Sequence, residues 1–221
     1  MEENKLKELI EDFKFEPVSK YDVLSKIAIV GKCMVGKTSL IEKAKEKEFQ
    51  TEYKPTFGCE FSTLSAKIND FQLSVKIWDT SGHDKFQAQF KKYINNAALV
   101  ILVYDVTNNE SFKYLDYWLQ IINEFQEVKN IILVGNKCDM EDERQVSEEQ
   151  GKEKCNSNKK ITKFFECSAL KNINVEIIFN EALKLLYLNY YKYGHGNLLE
   201  KNENFEDDNT KSRSFFRCCW K

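Results

Sequence analysis

The stretch GKCMVGKT at residues 31–38 sets two glycines, a lysine and a threonine in the spacing G-x-x-x-x-G-K-T. An apolar run, IAIV at 27–30, precedes it, and the helix-forming SLIEKAKEKEF follows it. A strand, a glycine loop and a helix in that order turn backbone N–H groups and the positive end of the helix toward anionic phosphate oxygens. Lys37 would reach the terminal phosphates and the Thr38 hydroxyl would ligate Mg²⁺. The motif implies a nucleoside triphosphate and leaves its base open.

Two further strings narrow the chemistry. In WDTSGHD (78–84), Asp79 ends an alternating strand, where a carboxylate can hold the metal through water, and Gly82 can bring its N–H close to a γ-phosphate because it has no side chain. In NKCD (136–139), Asp139 can accept two hydrogen bonds from the N1–H and exocyclic amine of guanine, donors that adenine lacks. Each string alone is weak, but each falls at the carboxyl end of an apolar run.

Those runs are the elements that must position the chemistry. IAIV (27–30), LVILVY (99–104), NIILV (130–134) and FFEC (164–167) have strand length and alternate with helical patterns such as 111–125 and 175–188. Short continuous apolar strands separated by helices predict a parallel sheet covered on both faces. Residues 57–79 instead predict two strands around a turn at Asn69-Asp70, which adds an antiparallel edge. Trp78 falls on the polar side of the second of these strands.

The 221 residues suit one domain with tails, and a formal net charge of −2 gives no compositional mark of a nucleic-acid binder. No apolar run reaches transmembrane length, the first residues lack a signal-peptide core, and Glu2 excludes N-myristoylation, so a cytosolic protein is expected. Seven cysteines without a CxxC pair indicate neither a disulfide framework nor a zinc site. There are only eight glycines, and Gly31, Gly36, Gly58, Gly82 and Gly135 lie in or beside the loops named above.

In these motifs the chain resembles the small GTPases of the Ras superfamily over about residues 26–190. The resemblance implies their P-loop fold: a six-stranded, mostly parallel sheet with one antiparallel edge strand and helices on both faces. It divides the chain into an N-terminal extension (1–25), a GTP-binding domain (26–193) and a flexible C-terminal tail (194–221). It implies that GTP or GDP is held by Gly31, Cys33, Met34, Val35, Gly36, Lys37, Thr38 and Ser39, by Phe49, Tyr53, Thr56 and Gly82, by Asn136, Lys137 and Asp139, and by Ser168, Ala169 and Leu170 of CSAL (167–170). Mg²⁺ would meet Thr38, Thr56 and Asp79. Catalysis would fall to His83, Gly82, Thr56 and Lys37, with the contact of Thr56 to metal and γ-phosphate present only in the GTP state.

Within that superfamily TFGCEF (56–61), VKIWDT (75–80), YINNA (93–97) and VYDVT (103–107) are similar to stretches of the Rab family. This implies a switch in vesicle traffic, with an exposed aromatic triad of Phe61, Trp78 and Tyr93 for effectors. The terminal RCCWK resembles Rab endings, with geranylgeranyl groups on Cys218 and Cys219 and location on the cytoplasmic face of an intracellular membrane, cycling with cytosol. Expected partners are an exchange factor, a GTPase-activating protein, effectors and a prenyl chaperone of the GDI or escort type, for a monomer that binds no nucleic acid.

Two residues depart from the pattern. His83 stands where most relatives have a water-orienting glutamine, which implies slow intrinsic hydrolysis, and Met34 replaces a small residue beside the phosphates. A GTP-binding scaffold with little or no hydrolysis, or a Ras- or Rho-like signalling GTPase, are the alternatives. In residues 1–25, Leu6, Leu9, Ile10 and Phe13 share helical spacing before Pro17, and a flexible extension is expected there.

Overall fold

A computed structural model describes residues 22–45, 55–68 and 71–193. The expectations for Phe49, Tyr53, the Asn69-Asp70 turn, Cys218, Cys219 and the 194–221 tail lie outside these residues. Six strands, β1 (Val23–Val30), β2 (Cys59–Ile68), β3 (Phe71–Thr80), β4 (Leu99–Asp105), β5 (Asn130–Asn136) and β6 (Ile161–Cys167), form one sheet in the order β2-β3-β1-β4-β5-β6. All neighbours are parallel except edge strand β2, which is antiparallel to β3 with Phe61 opposite Trp78.

The helices are α1 (Lys37–Ala44), α2 (Gln87–Ile94), α3 (Asn109–Lys113), α4 (Leu115–Asn123), α5 (Glu148–Ser157) and α6 (Val175–Tyr193). On one face Ile27, Ile29, Val75, Ile101 and Val134 meet Leu40 and Ile41 of α1 and Ile178, Phe179, Ala182 and Leu186 of α6. On the other, Ala28, Val30, Leu102 and Leu133 meet Phe90 of α2 and Leu115, Trp118 and Ile122 of α4. Every residue of β1 and β4 is buried, which is why 27–30 and 99–104 read as continuous apolar runs rather than as an alternation.

Several elements differ from the sequence expectations. β1 begins at Val23, upstream of residue 26, and takes in Ser25 and Lys26 as buried residues. Residues 111–125 are not one helix: α3 begins after Asn108, whose side chain caps the N–H groups of Glu110 and Ser111, and Tyr114 separates it from α4. α6 runs to Tyr193 instead of stopping near 188. α5 has few apolar residues, but a capping box between Ser147 and Gln150 opens it.

Tyr93 is a correction. Expected on an exposed triad, it is only 4% exposed, because Phe90, Tyr93, Ile94 and Ala97 form the face of α2 and its exit loop that packs on the sheet. Its hydroxyl donates to the Gln89 carboxamide.

Candidate nucleotide-binding site

The carboxyl ends of the strands open into a cleft of about 560 Å³. It is lined at one end by Cys33, Met34, Gly36, Lys37, Thr38, Ser39, Thr56, Gly82 and His83, and at the other by Asn136, Lys137, Asp139, Met140, Ser168, Ala169 and Leu170. Motifs spread over more than half of the chain thus converge on one surface.

The loop from Gly31 to Gly36 folds tightly around its own lysine. Lys37 Nζ is buried and donates to the carbonyls of Gly31 at 3.0 Å and Lys32 at 2.8 Å. Burial lowers its pKa to about 8 even though Asp79 opposes the shift. Gly36, at φ +93°, precedes α1, and a Cβ there would stand 2.2 Å from Asn136 Nδ2. Met34 also adopts a left-handed φ of 65° and, 61% exposed, stands at the mouth of the cleft.

Behind the loop, the Thr38 hydroxyl donates to Asp79 Oδ2 at 2.6 Å and lies 2.9 Å from Thr56 Oγ1. Burial pushes Asp79 up to about 6, against the Thr38 hydrogen bond and the charge of Lys37. Its other oxygen, Oδ1, is buried without a protein partner. Two hydroxyls and a carboxylate form a hard oxygen set with an unused acceptor, which fits Mg²⁺ and its retained waters. Gly82 is docked on the phosphate loop: its carbonyl accepts the Cys33 N–H at 3.1 Å, and a Cβ on it would meet Gly31 O, Lys32 C and Cys33 N within 2.4 Å.

At the base end, Asn136 Nδ2 donates to the Val35 carbonyl at 2.8 Å, while its Oδ1 accepts the Ala169 N–H at 3.2 Å. The Ser168 hydroxyl accepts the Lys171 N–H at 2.9 Å and shapes the turn that presents Ala169. Gly31, Val35 and Asp79 stand behind the wall, supplying carbonyls and a carboxylate to it.

Four residues in or near this region were missed in the sequence. Asp105, at the end of β4, pairs with Lys137 Nζ at 2.5 Å and holds the NKCD lysine; its place directly after the apolar run LVILVY (99–104) was a usable signal. Phe57, 65% exposed, and Lys85 line the phosphate end, and no pattern marked them. Lys26, only 5% exposed, sits under Trp78 with Nζ 3.7 Å from the ring centroid and donates to the Asn95 carbonyl at 2.7 Å.

His83 is exposed at the phosphate end, and its Nδ1 accepts the Lys85 N–H at 3.3 Å. Above the cleft, Phe61 is 66% exposed and stands edge-on to Trp78 at 5.1 Å between centroids.

A profile of the Ras family matches residues 26–188. The chain is 36% identical to the Ras-related protein RABA1f of Arabidopsis thaliana over 76% of its own length and 77% of the relative's. It is 36% identical to the Ras-related protein Rab-8A of Bos taurus over 90% of this chain and 97% of the other. The Ras-related protein Rab-11B of Dictyostelium discoideum is 34% identical, with 78% of each covered. Among the described residues no helix is long and apolar enough to cross a membrane.

Proposed function

Because the chain belongs to the Rab family of Ras-like small GTPases, and so is a Rab-like GTPase of vesicle trafficking, we propose that its cleft binds GTP and GDP through the residues described above and turns GTP over slowly. The observation that carries this reading is the convergence on one cleft of Lys37, Thr38 and Thr56, backed by Asp79, with Asn136, Asp139 and Ala169 at the far end.

In this reading the loop N–H groups and Lys37 bind the phosphates, while Asp139 and the Ala169 N–H read the guanine edge. Mg²⁺, when bound, would neutralise charge on the phosphates, held directly by Thr38 and Thr56 and through water by Asp79. Gly82, already bonded to the phosphate loop, would present its N–H to the γ-phosphate. Thr56 and Gly82 together make the two-state element: both sense the terminal phosphate, and its loss releases their loops. Hydrolysis then rests on positioning water and on electrostatics, without a covalent intermediate.

His83 limits that positioning. With Nδ1 taken up by the Lys85 N–H, the ring has a single nitrogen left for a water, whereas a glutamine carboxamide offers both a donor and an acceptor. Slow intrinsic turnover follows, with faster turnover when an activator supplies the missing groups. Single-turnover GTP hydrolysis by the isolated protein should be slower than that of a His83→Gln variant; equal rates would overturn this part of the reading.

The effector surface reduces to exposed Phe61 and the half-buried Trp78 against it, with Phe57 beside the cleft and Tyr93 left in the core. Cys218 and Cys219 would carry geranylgeranyl groups and hold the protein on the cytoplasmic face of an intracellular membrane, with a GDI- or escort-type chaperone cycling it through the cytosol. Imaging of tagged proteins with intact and Cys→Ser tails tests this. Membrane signal that persists without both cysteines, or that neither protein shows, would contradict it.

A further inference from the structure

At the end of the sheet opposite the cleft, the chain enters β1 beside the start of β3. The Asp22 N–H donates to the Gln72 carbonyl at 2.8 Å, and the Gln72 N–H donates to the Asp22 carboxylate at 2.7 Å. The next residue, Phe71, is the centre of an aromatic cluster from the last turns of α6. Its ring centroid lies 5.3 Å from Tyr187, 5.0 Å from Tyr190 and 6.3 Å from Tyr191. Tyr191 in turn lies 4.7 Å from Tyr187 and 5.3 Å from Tyr190. Only Tyr187 is buried; Phe71 and Tyr190 are half-buried and Tyr191 is exposed. The nucleotide cleft and the Phe61–Trp78 surface both lie elsewhere, so neither uses this aromatic face.

The segment that leads into Asp22 has the complementary character. Residues 1–21 lie outside the described residues, but their sequence carries Leu6, Leu9, Ile10 and Phe13 at helical spacing. Nine positions separate Phe13 from Asp22, a span of up to roughly 30 Å when extended, which is ample for the stripe to return to Phe71. Joined to the fold through Asp22, it would meet that surface at an effective concentration in the mM range. Residues 1–16 hold six carboxylates against three lysines, and α6 carries a basic Lys192 in its last turn. The same acidity opposes docking on an anionic lipid surface.

We propose that residues 6–13 dock on the aromatic surface of Phe71, Tyr187, Tyr190 and Tyr191 through Leu6, Leu9, Ile10 and Phe13. The docked segment fastens the carboxyl end of α6, from which the tail departs, to the β2–β3 pair. This makes the N-terminal segment part of the folded unit, and it depends on none of the nucleotide chemistry.

The test is amide hydrogen exchange on the full chain, comparing wild type with a Leu9→Asp/Phe13→Asp variant whose changes lie outside the described fold. Exchange in 71–73 and 187–192 should rise roughly tenfold or more in the variant, while exchange in β4 and β5 stays unchanged. Tyr191→Ala should raise exchange over 187–192 in the same way, and adding the N-terminal changes to it should add little. Unchanged exchange in the Leu9→Asp/Phe13→Asp protein overturns the proposal. So does wild-type exchange that is indifferent to those changes and slows only when phosphatidylserine vesicles are added, a result that assigns the surface to lipid.

Discussion

The Asn136 carboxamide donates to the Val35 carbonyl at 2.8 Å, joining two loops 101 residues apart in the chain. Because its Oδ1 also takes the Ala169 N–H, one buried side chain ties the phosphate loop to the loop at the base end. Asn136→Ala leaves a buried carbonyl and a buried N–H without partners, a loss of roughly 1–3 kcal/mol for each. GDP release, followed with a fluorescent analogue, should quicken about tenfold or more, with a lower melting temperature.

Gly82→Ala probes the closure of the 78–84 loop on the phosphate loop. An added Cβ would sit 2.2 Å from Gly31 O and 2.3 Å from Lys32 C, both backbone atoms that cannot swing aside. One loop must move away, at a cost of about 1–3 kcal/mol. The variant should keep GDP affinity, which does not need Gly82, and lose most of its preference for GTP-dependent effector binding. Competition with both nucleotides measures this directly.

Lys26 gives a pH signature. Burial lowers its pKa to about 8 from 10.5; the titratable group facing it is the Cys59 thiol, itself pushed up to about 12 chiefly by burial. Between about pH 8 and 10.5 the unfolded chain therefore holds a proton that the folded chain has lost, so the contribution of this group to stability rises with pH in that window. Denaturant melts across that range should show wild type gaining stability relative to Lys26→Met. The ammonium contact with Trp78 should fade as pH rises through about 8, read as a change in tryptophan emission missing from Trp78→Phe.

Asp79 should matter to the metal more than to the nucleotide alone. Its Oδ1 has no protein partner and its Oδ2 orients Thr38. Asp79→Asn keeps the size of the group and removes its charge. Mg²⁺ affinity of the GDP complex should fall roughly 10- to 100-fold. Chelating Mg²⁺ should speed nucleotide release from wild type and have a smaller effect on the variant.

The sheet and the position of the cleft were legible in the sequence because buried parallel strands are continuous apolar runs and the motif residues that line the cleft follow their carboxyl ends. What stayed hidden depends on contacts between distant segments. The start of β1 was missed because Ser25 and Lys26 look like solvent residues, yet Lys26 is satisfied by the Asn95 carbonyl and the Trp78 ring. Tyr93 was placed on an exposed triad by the family resemblance alone, whereas its burial is decided by how α2 lies on the sheet. Gly151 lies away from the cleft loops, and nothing in the sequence shows that a Cβ there would come within 2.3 Å of the Phe164 ring, which fixes how closely α5 approaches β6. α5 is polar enough to hide its period, although its capping box at Ser147 and Gln150 was readable.

The most direct test of the account is which nucleotide the protein holds and what reads it. Protein purified in Mg²⁺ and then denatured should release GDP or GTP in near-equal amount to the chain, and Asp139→Asn should move the preference from guanine toward xanthine nucleotides. Release of adenine nucleotides, or an Asp139→Asn variant with unchanged guanine preference, would contradict it.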